Sequence, residues 1–115
     1  MMSTFLKSKI HRATVTDTQL YYDGSVAIDP VLVRAAGMQE YEQIDIYNET
    51  NGNRWTTYII FAQEGSGAVS VRGPGARLAN EGDKVVMCTY VQTPMRRYTP
   101  TQISVDEDNK VTRVY

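Results

Sequence analysis

The sequence predicts a small, mainly β protein in which short strands close on themselves and two brief helices complete the connections. Three observations carry that prediction. Segments with period-two alternation, rich in Ile, Val, Thr and Tyr, recur along the chain, which is the pattern of half-buried strands. Turn residues, chiefly Gly, Asn and Asp, separate those segments at short intervals. At 115 residues the chain fits one domain, residues 1–115, and many short strands in a domain of that size are best protected by closure, which removes exposed edges.

Residues 5–16 alternate and read as a strand interrupted near His11 to Ala13. Within a strand Lys9 and His11 point to one face. On the residues alone this is a solvated edge whose lysine discourages pairing. Asp29, Pro30 and Gly37 supply the N-cap, first position and C′ glycine of a short helix. Residues 42–48 alternate, Asn51-Gly52 supplies a positive-φ turn, and residues 54–63 return as the partner strand. Gly65-Ser66-Gly67 is expected to be a plain hairpin turn into a strand over residues 68–72, since no Gly-rich phosphate-binding fingerprint is present. Residues 72–78 lead into a second brief helix, and Glu81-Gly82-Asp83 turns into a buried strand over residues 84–91. Residues 93–100 are polar and irregular. Residues 101–105 and 110–114 form a final pair joined by Glu107-Asp108-Asn109. Repeats, linkers and low-complexity tracts are absent.

Composition narrows the function classes. A net charge of -1 leaves no basic footprint for nucleic acid, and no stretch approaches the roughly 20 apolar residues of a membrane span. Neither is an expected partner. Cys88 is the only cysteine and lies in the apolar run Val85-Val86-Met87-Cys88, so an internal disulfide is impossible and a buried thiol is expected. Lys7, Lys9 and Arg12 are not followed by a long apolar run, which argues against a secretory signal and for the cytoplasm. His11 is the only histidine, so a histidine metal cluster is excluded and no metal is expected.

The stretch Tyr22-Asp23-Gly24-Ser25, running into Val26-Ala27-Ile28-Asp29, has a different character. Gly-Ser alone reads as a turn. Upstream stands Leu6-Lys7-Ser8-Lys9-Ile10-His11-Arg12-Ala13-Thr14-Val15-Thr16, and downstream Asn51-Gly52-Asn53-Arg54-Trp55-Thr56-Thr57-Tyr58. In residue type and spacing the three together resemble the pyruvoyl-dependent aspartate 1-decarboxylase family, over about residues 5–90. That resemblance implies a double-psi β-barrel whose precursor cuts itself between Gly24 and Ser25, giving a β chain, residues 1–24, and an α chain, residues 25–115. A serine hydroxyl can attack the preceding carbonyl when the backbone is held strained. Elimination from the resulting ester and hydrolysis then turn Ser25 into a pyruvoyl cofactor. Such a ketone forms a Schiff base with a substrate amine and accepts the electrons freed on decarboxylation.

The resemblance also implies roles for particular residues. Thr57 assists self-cleavage by hydrogen bonding near the Gly24 carbonyl. Tyr58 protonates the carbanion left by carbon dioxide. Lys9 and Arg54 hold substrate carboxylate, the guanidinium in a bidentate pair, while His11, Tyr22 and Tyr47 line the site. On the residues alone Arg54 is equally a surface ion-pair partner, and the tyrosines are ordinary strand aromatics. The family makes β-alanine from aspartate for pantothenate and coenzyme A, as a homotetramer with sites shared between subunits; a maturation factor is a further partner left open. Two departures stand out. Tyr47 occupies a position where the family usually has tryptophan, and Arg72-Gly73-Pro74-Gly75-Ala76 replaces the usual Asn-Gly-Ala-Ala-Ala at the substrate pocket. Pro74 lacks an N–H, and Arg72 substitutes a fixed charge for a neutral amide. Arg72 either borders the pocket and favours an anionic substrate or one with an extra acceptor, or it turns outward or pairs with a nearby carboxylate. Three functions follow: an aspartate decarboxylase, a paralogue acting on another amino acid, and an uncleaved non-catalytic barrel, against which the joint presence of Lys9, Tyr22, Gly24, Ser25, Arg54, Thr57 and Tyr58 argues.

Overall fold

The computed structural model describes residues 1–115. Nine strands run in chain order as β1 Ser3–Thr14, β2 Asp17–Gln19, β3 Ser25–Ile28, β4 Gln43–Asn48, β5 Arg54–Phe61, β6 Val69–Arg72, β7 Lys84–Thr93, β8 Thr101–Val105 and β9 Val111–Val114. The helix α1, Pro30–Ala35, follows β3, and a 3₁₀ helix, Gly73–Arg77, follows β6. The strands form one mixed sheet in the order β2-β6-β3-β5-β4-β7-β1-β8-β9. β2 is the continuation of β1 through Val15 and Thr16, whose N–H groups donate to Asp83 O and Val69 O, each at 2.9 Å. The stretch from β2 round to β1 therefore closes on itself, with β8 and β9 added outside the ring. None of its helices is long and apolar enough to cross a membrane.

Period-two alternation produces the core. Ile44 and Ile46 of β4 point inward with Ile10, Ile28, Ile59, Met87 and Ile103, all fully buried, and Leu32 of α1 packs onto the same cluster. Each such side chain contributes about 1.5–3 kcal/mol by leaving water. The β4–β5 hairpin forms as its sequence predicts, pairing Tyr47 with Arg54 and Gln43 with Tyr58 across the Gly52 turn, φ +80°.

The interruption expected near His11 to Ala13 is a bulge between Ile10 and Ala13, with Arg12 at φ +60°, in a strand that continues to Thr14. One expectation needs correction: Gly65-Ser66-Gly67 is not a hairpin turn. β5 and β6 do not pair, because β3 lies between them, parallel to β5 and antiparallel to β6. The turn serves instead as an internal anion cradle: the N–H groups of Gly65 and Gly67 donate to the Asp29 carboxylate at 2.9 and 2.8 Å, beside the α1 cap from Val31 at 2.9 Å. Asp29 is 2% exposed. Burial alone would raise its pKa, but these N–H donors, with Lys110 nearby, outweigh burial and hold the carboxyl below its ordinary value.

Candidate active site

β3 and β6 bring the Gly24–Ser25 bond against the start of the 3₁₀ helix. Their antiparallel register sets Ser25 directly opposite Arg72. Gly73 follows at φ +75°, and a Cβ there would lie 2.7 Å from the Gly24 Cα and 3.0 Å from the Tyr22 carbonyl oxygen. Only glycine allows that approach. Ser25 is buried, and its Oγ has no hydrogen-bond partner in the chain. An unpartnered buried hydroxyl is destabilising by about 1–3 kcal/mol, and Ser25 Oγ is one of only four buried side-chain polar atoms without a partner. On the other side of β3, the parallel register pairs Val26 with Ile59; continued back by two residues, it sets Gly24 beside Thr57.

A cavity of about 340 Å³ opens at this point, lined by Gly24, Thr57, Tyr58, Arg72, Pro74 and Gly75 among others. Gly75 admits the Trp55 indole, whose Nε1 would be 2.6 Å from a Cβ at that position. Arg72 does not turn outward to a carboxylate. Its guanidinium carbon lies 4.7 Å from the Tyr22 ring centroid, its Nε donates to Ser70 Oγ at 3.3 Å, and it takes part in none of the four ion pairs of the chain. Trp55 and Ser70 were not anticipated as parts of this site. The period-two pattern of β5, with Trp55 and Thr57 alternating with Arg54, Thr56 and Tyr58, was the available signal for Trp55.

The carboxylate-binding candidates lie elsewhere, on the outward face of the β5-β4-β7-β1 wall. One cross-strand row there runs Thr56, Asp45, Cys88, Lys9. Beside it the Arg54 guanidinium lies 4.6 Å from the Tyr47 ring, and the Tyr47 hydroxyl reaches diagonally across the row to the Tyr90 hydroxyl, 2.7 Å away. Neither Lys9 nor Arg54 forms an ion pair. Burial and then the Tyr47 hydrogen bond push the Tyr90 phenol far above its usual range, and burial raises the Cys88 thiol. Both stay protonated at neutral pH. Tyr58, which shares the outward face with Arg54 and lines the Gly24 cavity, is where the two groups adjoin. His11 joins neither. It lines a separate cavity of about 460 Å³ with Arg12, Lys84, Ser104, Asp106 and Glu107, and its Nδ1 is buried without a partner. No cluster of three or more His, Cys, Asp or Glu side chains suitable for a metal occurs.

A family model described as aspartate decarboxylase matches residues 1–112. The chain belongs to the aspartate decarboxylase family. Among curated members of that family, the aspartate 1-decarboxylase of Methylococcus capsulatus is 53% identical, over 98% of this chain and 92% of the relative. Those of Nitrosococcus oceani and Thioalkalivibrio sulfidiphilus are 50% and 49% identical, over 97% and 98% of this chain and 91% and 92% of their own. Family likeness thus extends through both groups of site residues and through β8 into the first half of β9.

Proposed function

We propose that the protein is a pyruvoyl-dependent aspartate 1-decarboxylase, which cuts its own Gly24–Ser25 bond and then converts L-aspartate to β-alanine and carbon dioxide. The observation that carries this reading is the buried, unbonded Ser25 hydroxyl behind a glycine held by Gly73, in a chain of the aspartate decarboxylase family. Ser25 Oγ attacks the Gly24 carbonyl and the amide nitrogen departs, leaving an ester; Thr57 polarises that carbonyl. Loss of the residue-25 Cα proton then breaks the Cβ–O bond and releases Gly24 as a carboxylate. The dehydroalanine left behind tautomerises to an imine, and water replaces its nitrogen, releasing ammonia. An orphaned hydroxyl beside a small cavity fits a prosthetic group made in place.

The pyruvoyl group supplies a ketone that takes up the substrate amine and accepts the electron pair freed as carbon dioxide leaves. The chain's own side chains do the rest. Tyr58 delivers a proton to the carbon that lost its carboxylate, and Lys9 and Arg54 bind and orient the carboxylate that stays. Because neither cation lines the Gly24 cavity of its own chain, a neighbouring subunit completes each site, in a homotetramer whose subunits are double-psi barrels. The product feeds pantothenate synthesis in the cytoplasm, with or without a maturation factor. Intact mass spectrometry is the test: the α chain, residues 25–115, should appear lighter by one ammonia than its serine form. An active preparation containing only the uncut chain overturns the reading.

Arg72 favours a second substrate class. A guanidinium without a carboxylate partner in the cavity suits an amino acid carrying an additional acceptor. A panel of amino acids assayed for amine products separates the two. The triple variant Arg72→Asn, Pro74→Ala, Gly75→Ala should shift the efficiency ratio of aspartate to the best alternative by about tenfold, about 1.4 kcal/mol. An unchanged ratio in a cleaved variant leaves aspartate alone.

A further inference from the structure

We infer that Arg72 is the receptor for the carboxylate that self-cleavage creates at Gly24. This rests on the cleavage reading above and goes beyond it, to what holds the severed end. Elimination leaves an anion on Gly24 where the intact chain had a neutral peptide, in a cavity lined by Arg72. Gly24 itself is exposed, so what a neighbour can offer the new anion is a charge-assisted pair. Arg72 sits across the β3–β6 ladder from Ser25, the other residue of the scissile bond, and Gly73 is in close contact with Gly24 itself. Its guanidinium already has its face on Tyr22, two residues before the cut, and one N–H on Ser70. No acid occupies the other N–H groups. The cation is therefore held in place before the anion exists, and a planar fork is the geometry that takes a carboxylate bidentately.

The pair takes up the guanidinium that the second substrate class above needs free, so the two are exclusive, and it has a consequence for the reaction. A free Gly24 carboxylate is a tethered competitor for the cations that bind substrate carboxylate, and Arg72 withdraws it from that competition. It also favours departure of the carboxylate during elimination, since a leaving anion forms beside a fixed positive charge. The other charged and titratable groups around Gly24 are Asp23 on the same turn, Tyr58 from β5, and Arg77, which lines the adjoining cavity with Tyr22 and Pro74. Asp23 opposes the effect. Arg77 is the rival cation.

The test uses the mature protein grown with glycine labelled at the carboxyl carbon with ¹³C and arginine labelled with ¹⁵N. All eight glycines become labelled, but only a severed Gly24 has a carboxyl that titrates, because every other glycine carbonyl is an amide. Its midpoint should lie at least about one pH unit below the ordinary α-carboxyl range of about 3.3–3.7. Arg72→Gln should return it to that range, Arg72→Lys should keep part of the depression, and Arg77→Gln should leave it depressed. A solid-state ¹³C–¹⁵N distance in the parent, within about 4 Å for a direct pair, needs no variant and covers the case in which Arg72→Gln fails to mature. An ordinary midpoint, a depression that follows Arg77, or a long ¹³C–¹⁵N distance in cleaved protein overturns the role of Arg72 while leaving self-cleavage intact. A chain that stays whole by mass overturns both.

Discussion

The β4–β5 hairpin and the junction of β3 with β6 use the same parts, a strand pair and a positive-φ glycine, to opposite ends. Around Gly52, φ +80°, a Cβ would meet nothing within 4 Å, whereas at Gly73, φ +75°, it would run into the backbone of Gly24. The hairpin turn needs glycine for its own conformation only. The junction needs it for the conformation and for access to another segment. Hairpin side chains also find partners across the ladder, as Thr56 does with Asp45 and Arg54 with Tyr47, while Ser25 is buried with an unused hydroxyl. The paired hairpin and the unbonded Ser25 hydroxyl thus occupy different parts of one sheet.

The widest separation between the two regions comes from Ser25→Ala. It should abolish cleavage and activity together, because the nucleophile and the future ketone are one residue, while the fold is kept. Mass spectrometry of a single uncut chain with no carbon dioxide release checks this; activity in purified variant protein would sink the mechanism. Next, Gly73→Ala should be destabilising by about 1–3 kcal/mol more than Gly52→Ala, since both carry positive-φ strain but only the former meets backbone. Urea midpoints of the two variants give the difference, and cleavage should slow in Gly73→Ala alone. Equal losses would mean that Gly24 and Gly73 separate freely.

Beneath the junction, Asp29→Asn should remove about 1–3 kcal/mol at pH 7 by replacing a charged acceptor of three backbone N–H groups. The Asp29 carboxyl is held below its unfolded value, so its contribution is present in full above about pH 3.9 and is lost as the pH falls through the folded value. Thermal melts between pH 7 and 2 should therefore show a shallower acid decline in the variant; identical slopes would refute the cradle. The smallest effects are expected on the outer wall, where Lys9→Ala and Arg54→Ala should each lower kcat/KM about tenfold, about 1.4 kcal/mol, with stability little changed. Parent-like kinetics in both would make these two merely surface charges.

What the sequence made legible follows the same division. The hairpin, α1 with its Asp29 cap, and β7 through β9 announce themselves by short-range signals, namely alternation, capping residues and turn glycines. β2 and β3 escape such reading, because β2 has three residues and β3, Ser-Val-Ala-Ile, is buried throughout and shows no alternation. Their placement is decided by partners distant in sequence, which is also why Gly65-Ser66-Gly67 resembles a hairpin turn and is not one. For the site, residue identities at Gly24, Ser25, Thr57 and Tyr58 were readable through family likeness, and the register brings them together. The position of Arg72 over Tyr22 was not readable, since it depends on which strand lies beside β3. The same applies to His11, which pairs with Ser104 of β8 and lines a cavity apart from Gly24.

The run of β1 into β2 gives the segment before Ser25 the geometry of a clasp. One end lies between β7 and β8, the other pairs with β6, and the ring is shut only because a single piece of chain does both. A cut after Gly24, as proposed above, would leave that piece gripping both ends and the sheet closed. It would change the molecularity of folding instead. If the chain cuts itself as proposed, each ring forms from one chain before the cut and from two afterwards, so at equal assembly state the midpoint of its renaturation comes to depend more steeply on protein concentration. Self-cleavage would then act as a ratchet, in which a chain passes once through the unimolecular route to this fold and, once unfolded in dilute solution, has no rapid way back.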